Sequence, residues 1–289
     1  MTAAGGVFRV ALVQMRSGRT VAPNLAAAEE AIRQAAEAGS QLVVTPENTA
    51  LMELERERVL ANTQSEDGNQ ALELFAGLAK ELALWLHIGA TPVKLGDDKI
   101  ANRSLLFRPD GSIAARYDKI HMFDVDLPGG ESYRESKSCS AGRHAVLADL
   151  PWGAYGLTIC YDLRFPALYR SLAKAGACFI AVPSAFTKQT GEAHWRVLLK
   201  SRAIETGCFI FAPAQGGRHE VGRDTYGHSM IVSPWGEVLA EAGQAPGVIM
   251  ADIDPGQVGQ ARGRVPSLSH DAEFDVVQGE DLENEAAAK

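Results

Sequence analysis

Residues 156–183 read GLTICYDLRFPALYRSLAKAGACFIAVP and contain an apolar run, a turn, an amphipathic helix and a second apolar run. Pro166 is typical of the first residue of a helix, and Gly176 is typical of a helix end. The second run, which ends at Pro183, shows no polar alternation, as expected for a strand buried on both faces. The stretch therefore predicts a strand, a helix and a second strand of a layered α/β fold.

The same order of helix, small-residue stop, apolar run and proline occurs four times. The predicted helices are Asn24–Ala38, Ala71–Ala83, Pro166–Ala175 and His194–Glu205, and the runs that follow them end at Pro46, Pro92, Pro183 and Pro213. A second pattern, SLLFRPDGSIAA at Ser104–Ala115 and SMIVSPWGEVLA at Ser229–Ala240, predicts one β-hairpin in each half. Because no linker separates the copies, the sequence predicts two similar halves that share one core.

The composition is typical of a globular protein and limits the classes of partner. The 289 residues are 46% hydrophobic and 22% charged, which excludes a mainly disordered or fibrous chain. The net charge of −8, without a block of lysine or arginine, argues against nucleic acid or an anionic membrane as the main partner. The helix–strand pattern predicts a domain over residues 1–266, and the acidic composition of residues 267–289 predicts a partly mobile tail.

Neither the N-terminus nor the cysteines indicate secretion or a structural metal. Residues 1–20 resemble an opening strand more than a signal peptide, and the longest apolar stretch is too short to span a bilayer. The four cysteines, at positions 139, 160, 178 and 208, include no CxxC pair, so a zinc knuckle is not expected. We therefore expect a cytoplasmic protein with reduced thiols.

Three reactive side chains follow apolar runs directly, which matters because ligands bind beyond the carboxyl ends of strands in α/β sheets. They are Glu47, Lys119 and Cys160. Cys160 is the strongest candidate for a nucleophile, since it lies between a strand and the helix that Pro166 begins. The helix N-terminus, together with Lys119 and Arg164, predicts a lowered pKa for this thiol.

The sequence alone leaves the other candidates open to structural interpretations. Glu47 either pairs with a structural cation or acts as a general base with a raised pKa. Lys119 and Glu135, taken alone, fit ordinary solvated side chains. Cys178 and Cys208 fit buried apolar positions. A Cys-His pair is a further alternative, because the spacing does not select among His121, His194 and His228.

Three motifs together resemble one family. Glu47 in TPENT, Lys119 in YDKIHMFDVD and Cys160 in GLTICYDLRFP are similar to the Glu-Lys-Cys triad of the nitrilase superfamily of carbon–nitrogen hydrolases. The resemblance runs from about Phe8 to Pro266 and implies a four-layer α-β-β-α sandwich. The segments PSAFTKQTGEAHW, APAQGG and YGHSMIVSPWGEV, which begin at positions 183, 212 and 226, most resemble the deaminated glutathione amidase branch.

The resemblance also implies a role for each site residue. Glu47 takes the thiol proton, and Cys160 attacks an amide carbon to form a thioester. Lys119 and the backbone N–H of Tyr161 stabilise the oxyanion. Glu135 matches the family's second glutamate, which holds Lys119 in place. This chemistry requires no cofactor and no metal.

The substrate implied by the resemblance is deaminated glutathione, a small anionic amide that is cut to 2-oxoglutarate and cysteinylglycine. Arg164 is expected to bind a substrate carboxylate, because its planar guanidinium matches carboxylate geometry. Lys188 and Arg223 are weaker candidates for the same role and fit solvated side chains better. The alternatives are an ω-amidase or another small-amide or N-carbamoyl hydrolase of the superfamily. A catalytically silent binding or scaffold protein is the alternative from another class.

The resemblance implies subunit pairing through the helices Pro166–Ala175 and His194–Glu205, so we expect a homodimer or a higher even homo-oligomer. The family often carries His-Arg-Arg near its C-terminus, where this chain has His270-Asp271-Ala272. A subunit contact that uses the basic pair is therefore not expected in the same form here.

Overall fold

The computed structural model describes residues 6–96, 98–128 and 130–278. The strands are β1 (Phe8–Gln14), β2 (Leu42–Val44), β3 (Trp85–Lys94), β4 (Ile100–Phe107), β5 (Ile113–Asp118), β6 (Asp124–Asp126), β7 (Ser132–Arg134), β8 (Val146–Leu150), β9 (Gly153–Leu157), β10 (Ala177–Ala181), β11 (Phe209–Ala212), β12 (Gly216–Arg218), β13 (Asp224–Tyr226), β14 (Met230–Val232), β15 (Val238–Glu241) and β16 (Gly247–Ile253). The helices are α1 (Val21–Glu37), α2 (Arg56–Ala61), α3 (Gln70–Glu81), α4 (Pro166–Lys174), α5 (Lys188–Thr190), α6 (Arg196–Thr206) and α7 (Gly256–Arg264). Short 3₁₀ turns cover Glu135–Lys137 and Cys160–Arg164, and a π-helical turn covers Gly191–Trp195.

Two six-stranded sheets are built on the same plan. In the first sheet β1, β2 and β3 are parallel, with antiparallel β16 on one side and the antiparallel hairpin β4–β5 on the other. In the second sheet β9, β10 and β11 are parallel, with antiparallel β8 on one side and the antiparallel hairpin β14–β15 on the other. The two predicted hairpins and the two similar halves are confirmed.

Successive residues of the first sheet point into two different cores, as the period of a strand requires. Val10 and Leu12 of β1 belong to the core between the sheets, with Phe179 of β10. Ala11 and Val13 belong to the core that α1 and α3 form with the outer face of this sheet. Helices α4 and α6 pack on the second sheet. The four-layer α-β-β-α sandwich is therefore confirmed.

Several predicted element boundaries differ from the structure by a few residues, and two of these differences concern β3 and α6. The strand predicted to end at Pro92 continues to Lys94. The strand can include this proline because β2 ends at Val44, so that beyond this point no strand lies beside β3 on the side of β2. There the backbone N–H groups of Ala90 and Lys94 donate to loop carbonyls, and proline between them removes no bond of the sheet. The fourth predicted helix begins with the π-helical turn Gly191–Trp195, which α6 continues.

After α7, residues 265–278 contain no helix or strand. In this segment Leu268 packs against the core, and Asp271 forms ion pairs with Arg170 and Lys174 of α4. The departure from the family's basic pair therefore places a carboxylate against a helix of its own subunit.

The remainder of the predicted tail, Gly279–Lys289, lies outside the described residues. The domain boundary after residue 266 stays a prediction. In the described ranges, no helix combines the length and apolar character needed to cross a membrane.

A histidine is buried between the sheets. His87 Nδ1 lies 2.8 Å from the hydroxyl of Tyr155, and its Nε2 contacts the hydroxyl of Ser104. Burial lowers the pKa of His87 to about 3. The folded protein therefore keeps this imidazole neutral at physiological pH.

We expect the protein to lose stability as the pH falls below about 6.5. The unfolded chain protonates His87 below its ordinary pKa of 6.5, whereas the folded chain does so only near 3. Between these values the group lowers the free energy of unfolding by about 1.4 kcal/mol per pH unit. Urea titrations at several pH values measure this slope. His87→Gln, which cannot take up the proton, is the control, and the same slope in both proteins would contradict the prediction.

Candidate active site

Glu47, Lys119 and Cys160 line one cavity of about 240 Å³. Glu47 follows β2 and Lys119 follows β5, both in the first sheet, whereas Cys160 follows β9 in the second sheet. The three side chains meet because β2, β5 and β9 all end at the edge of the sandwich where ligands bind in α/β proteins. Neither half of the fold contains the site alone.

Lys119 joins two carboxylates and is itself only 2% exposed. Its Nζ donates to Glu47 Oε1 at 3.0 Å and to Glu135 Oε2 at 2.8 Å. Asn102 Nδ2 donates to Glu47 Oε1 and to Glu135 Oε1, each at 2.9 Å. The backbone N–H of Phe123 also donates to Glu135, at 2.7 Å. The interpretation of Lys119 and Glu135 as solvated side chains is therefore wrong.

The ion pair between Lys119 and Glu47 stays charged in the folded protein. Burial by itself lowers the pKa of Lys119, but Glu135 and Glu47 hold it well above its ordinary value. Burial by itself raises the pKa of Glu47, but Lys119 and the hydrogen bond with Cys160 hold it below its ordinary value. The expectation of a raised pKa for a general base at Glu47 is wrong, because Lys119, Cys160 and Arg223 together outweigh the cost of burial.

Cys160 occupies a strained turn directly after β9. Its φ of +49° lies in the left-handed region, a conformation that costs a non-glycine residue about 1–3 kcal/mol and persists only where surrounding contacts hold it. Its backbone N–H donates to the carbonyl of Pro183 at 2.9 Å, and its thiol lies close enough to Glu47 for the carboxylate to raise the pKa of the thiol. The turn therefore holds the sulfur beside the carboxylate that can take its proton.

The predicted lowering of the Cys160 pKa is wrong. Burial and the negative charge of Glu47 raise the pKa of this thiol, and the opposing effect of Lys119 is smaller. The 3₁₀ turn Cys160–Arg164 separates the thiol from the N-terminus of α4, where the helix dipole would act. The resting nucleophile is therefore a neutral thiol beside an ionised carboxylate.

The histidines contact other groups. His121 Nδ1 lies 2.6 Å from Asp162 Oδ1, His194 Nδ1 lies 3.2 Å from Arg164 Nη1, and the ring of His228 stacks on that of Tyr226. No histidine is present among the described residues that line the cavity. The geometry gives the Cys-His alternative no support. Within the same ranges, no three His, Cys, Asp or Glu side chains are grouped so that they could hold a metal ion.

The two other predicted residues lie on the turn after Cys160. The first hydrogen bond of this turn runs from the N–H of Asp162 to the carbonyl of Ile159 at 3.1 Å. The N–H of Tyr161 precedes this bond, and N–H groups in the first turn of a helix have no partner within the helix. Arg164 is not among the described residues that line the cavity. Its guanidinium lies over the rings of Tyr161 and Phe186, 5.9 Å and 5.2 Å from their centroids.

Three contributors to the site have a weak signal or none in the sequence. Asn102 bridges the two carboxylates, and its signal is weak, because it is one of three successive polar residues, 102–104, in β4. The backbone N–H of Ala185 donates to Glu47 Oε2 at 3.0 Å, which no side-chain pattern indicates. Arg223, which the sequence offered only as a weaker candidate for binding a carboxylate, lines the cavity.

Comparison with known proteins agrees with this geometry. The family described as Carbon-nitrogen hydrolase matches residues 9–263. A deaminated glutathione amidase of Yersinia enterocolitica is 42% identical over 264 residues, which are 90% of this chain and 92% of the relative. The crystal structure of the C. elegans NitFhit protein is 34% identical with a TM-score of 0.86, covering 98% of this chain and 67% of that chain.

A more distant structure concerns the cysteine itself. It is a mutant amidase from Nesterenkonia sp. that shows the result of Michael addition of acrylamide at the active site cysteine. It is 25% identical with a TM-score of 0.75, covering 90% of this chain and 98% of that chain. Because the family match spans residues 9–263 and the sandwich carries Glu47, Lys119 and Cys160 at one cavity, this chain belongs to the carbon–nitrogen hydrolase family of the nitrilase superfamily.

Proposed function

We propose that this protein hydrolyses the γ-amide of deaminated glutathione and releases 2-oxoglutarate and cysteinylglycine. The observation that carries the proposal is that an ionised Glu47, hydrogen-bonded to the Lys119 ammonium, lines one cavity with the Cys160 thiol. The choice of substrate is supported by the 42% identical relative named deaminated glutathione amidase.

In the first half-reaction the Cys160 thiol gives its proton to Glu47 as the sulfur attacks the amide carbon. Deprotonation and attack are coupled, because the raised pKa of the buried thiol disfavours a free thiolate. The Lys119 ammonium and the Tyr161 N–H stabilise the oxyanion of the tetrahedral intermediate. The carbon–nitrogen bond then breaks, the amine takes the proton from Glu47, and a thioester remains on Cys160.

In the second half-reaction Glu47 takes a proton from water, which attacks the thioester carbon. The carbon–sulfur bond breaks, the Cys160 sulfur regains a proton, and the acid is released. Glu135 and Asn102 act as positioning residues, since they hold Lys119 and Glu47 through the hydrogen bonds described above.

Product release from a set of amides tests the proposal. Purified protein is incubated with deaminated glutathione, 2-oxoglutaramate and an N-carbamoyl amino acid, and 2-oxo acid, cysteinylglycine and ammonia are quantified. We expect the highest kcat/KM with deaminated glutathione. Faster release of ammonia from 2-oxoglutaramate would favour an ω-amidase instead, and no turnover of any amide would favour the catalytically silent alternative.

We also propose that the protein acts in the cytoplasm as a homodimer or a higher even homo-oligomer. An exposed apolar patch supports self-association, and it is formed by Ile204 of α6 with Trp235 and Val265. Patches of this kind mark interaction surfaces. Light scattering across micromolar concentrations checks the oligomeric state, and a monomer throughout would contradict it.

A further inference from the structure

Three cationic side chains line the catalytic cavity in the described part of the chain, and two of them are already paired. Lys119 pairs with Glu47 and Glu135. Arg134 pairs with Asp126. Arg223 forms no ion pair with a carboxylate of the described residues, and the adjacent Asp224 pairs instead with Arg218.

The Arg223 guanidinium is half-buried and only partly hydrogen-bonded. One of its nitrogens, Nη2, donates to the carbonyl of Ala185, and the guanidinium carbon lies 5.0 Å from the centroid of the Tyr133 ring. Its Nε is buried and has no hydrogen-bond partner among the described residues. A buried donor without an acceptor is costly, and a guanidinium carries five N–H donors in a planar arrangement that suits a carboxylate.

The segment that carries Arg223 is fixed in the fold. The N–H of His219 donates to the Arg223 carbonyl at 2.9 Å, and the N–H of Tyr226 donates to the carbonyl of Phe186 at 3.0 Å. Arg223 is also close to the reacting groups, since the residue that accepts its hydrogen bond, Ala185, donates to Glu47. The guanidinium is therefore held in place beside the reacting groups before any ligand arrives, which reduces the entropic cost of binding.

We infer that Arg223 binds a carboxylate of the substrate and makes the enzyme selective for anionic amides. This inference rests on the proposed function and deepens it, because deaminated glutathione carries one carboxylate on its acyl part and one on its amine part. Arg164, which lies outside the described cavity lining and over two aromatic rings, is the competing candidate.

A charge-matched pair of substrates tests the inference. The amide that the wild type hydrolyses best is compared with its carboxyl methyl ester in Arg223→Gln, Arg223→Lys and Arg164→Gln. Arg116→Gln, which removes a guanidinium outside the cavity lining that pairs with Glu66, is the control. We expect kcat/KM for the anionic amide to fall roughly 10- to 150-fold in Arg223→Gln, the range for a lost charge-assisted hydrogen bond. We expect a smaller loss in Arg223→Lys and little change with the ester.

Equal losses with the acid and the ester would overturn the inference. That result would show that Arg223 acts through the pKa of Glu47, which its charge helps to lower. Loss of selectivity in Arg164→Gln but not in Arg223→Gln would overturn it as well. Amides with the carboxylate on only the acyl part or only the amine part then show which one Arg223 binds.

The inference and the proposed function fail in different ways. A wild type that hydrolyses another anionic amide, with selectivity lost in Arg223→Gln, contradicts the proposed substrate but supports the carboxylate site. A wild type that acts only on neutral amides overturns the site. If no amide is turned over, calorimetry measures the binding of 2-oxoglutarate to the wild type and to Arg223→Gln. Equal binding by the two proteins, or binding by neither, would overturn the carboxylate site.

Discussion

Replacing Cys160 with alanine is expected to abolish amide hydrolysis, with a loss in kcat of roughly four orders of magnitude or more. The sulfur forms the covalent intermediate, and Cys160 is the cavity-lining cysteine that stands on the strained turn after β9, beside the charge of Glu47. The fold is expected to remain intact, because alanine keeps the backbone contact with Pro183. Steady-state kinetics and urea unfolding measure the two effects.

Cys178→Ser and Cys208→Ser are the matched controls for this experiment. Cys208 is buried beneath Arg262, and Cys178 lies in β10. We expect both variants to lose stability while turnover per folded molecule stays nearly unchanged. Intact-mass measurement of the wild type during turnover is expected to show the acyl group on Cys160. Turnover by Cys160→Ala above trace level with every amide tested would contradict the covalent mechanism.

Lys119→Met is expected to lower both activity and stability. The change leaves Glu47 and Glu135 buried without their shared cation, and breaking a buried ion pair from one side costs about 3–5 kcal/mol. It also removes an oxyanion donor, which costs about 10²- to 10³-fold in kcat. Lys80→Met, at an exposed position on α3, is the control for removing a lysine.

The pH dependence of the Lys119→Met variant gives a second readout. In the wild type the folded-state pKa of Glu47 lies below its ordinary value, so its contribution to stability is present above that value and is lost as the pH falls. In the variant, burial without Lys119 raises the pKa of Glu47, so the destabilisation is largest near neutral pH and shrinks as the pH falls through the raised pKa. Free energies of unfolding of the wild type and of Lys119→Met, measured at about pH 7 and pH 5, give the destabilisation at each pH. An equal loss at both pH values would contradict the buried ion pair as the cause.

The sequence by itself determined the layers of the fold and the candidate catalytic residues. The runs that end at Pro46, Pro183 and Pro213 became buried parallel strands, because continuous apolar segments between amphipathic helices are buried on both faces. The repeated hairpin pattern predicted correctly that the two sheets have the same arrangement of strands. Glu47, Lys119 and Cys160 were recognised because each follows a strand end and carries flanking residues that resemble one family.

Only the tertiary structure decided the protonation states and the surroundings of these residues. Asn102 and Glu135 are distant in sequence from Glu47, and only the fold brings Asn102 into contact with both carboxylates. The pKa of the Cys160 thiol depends on its burial and on Glu47, which follows a strand of the other sheet, and not on the neighbouring helix. Desolvation and Coulomb energies depend on distances through space. For this reason a local pattern identified the nucleophile but not its charge, and it gave Arg223 only as a weaker candidate, without placing it in the wall of the same cavity.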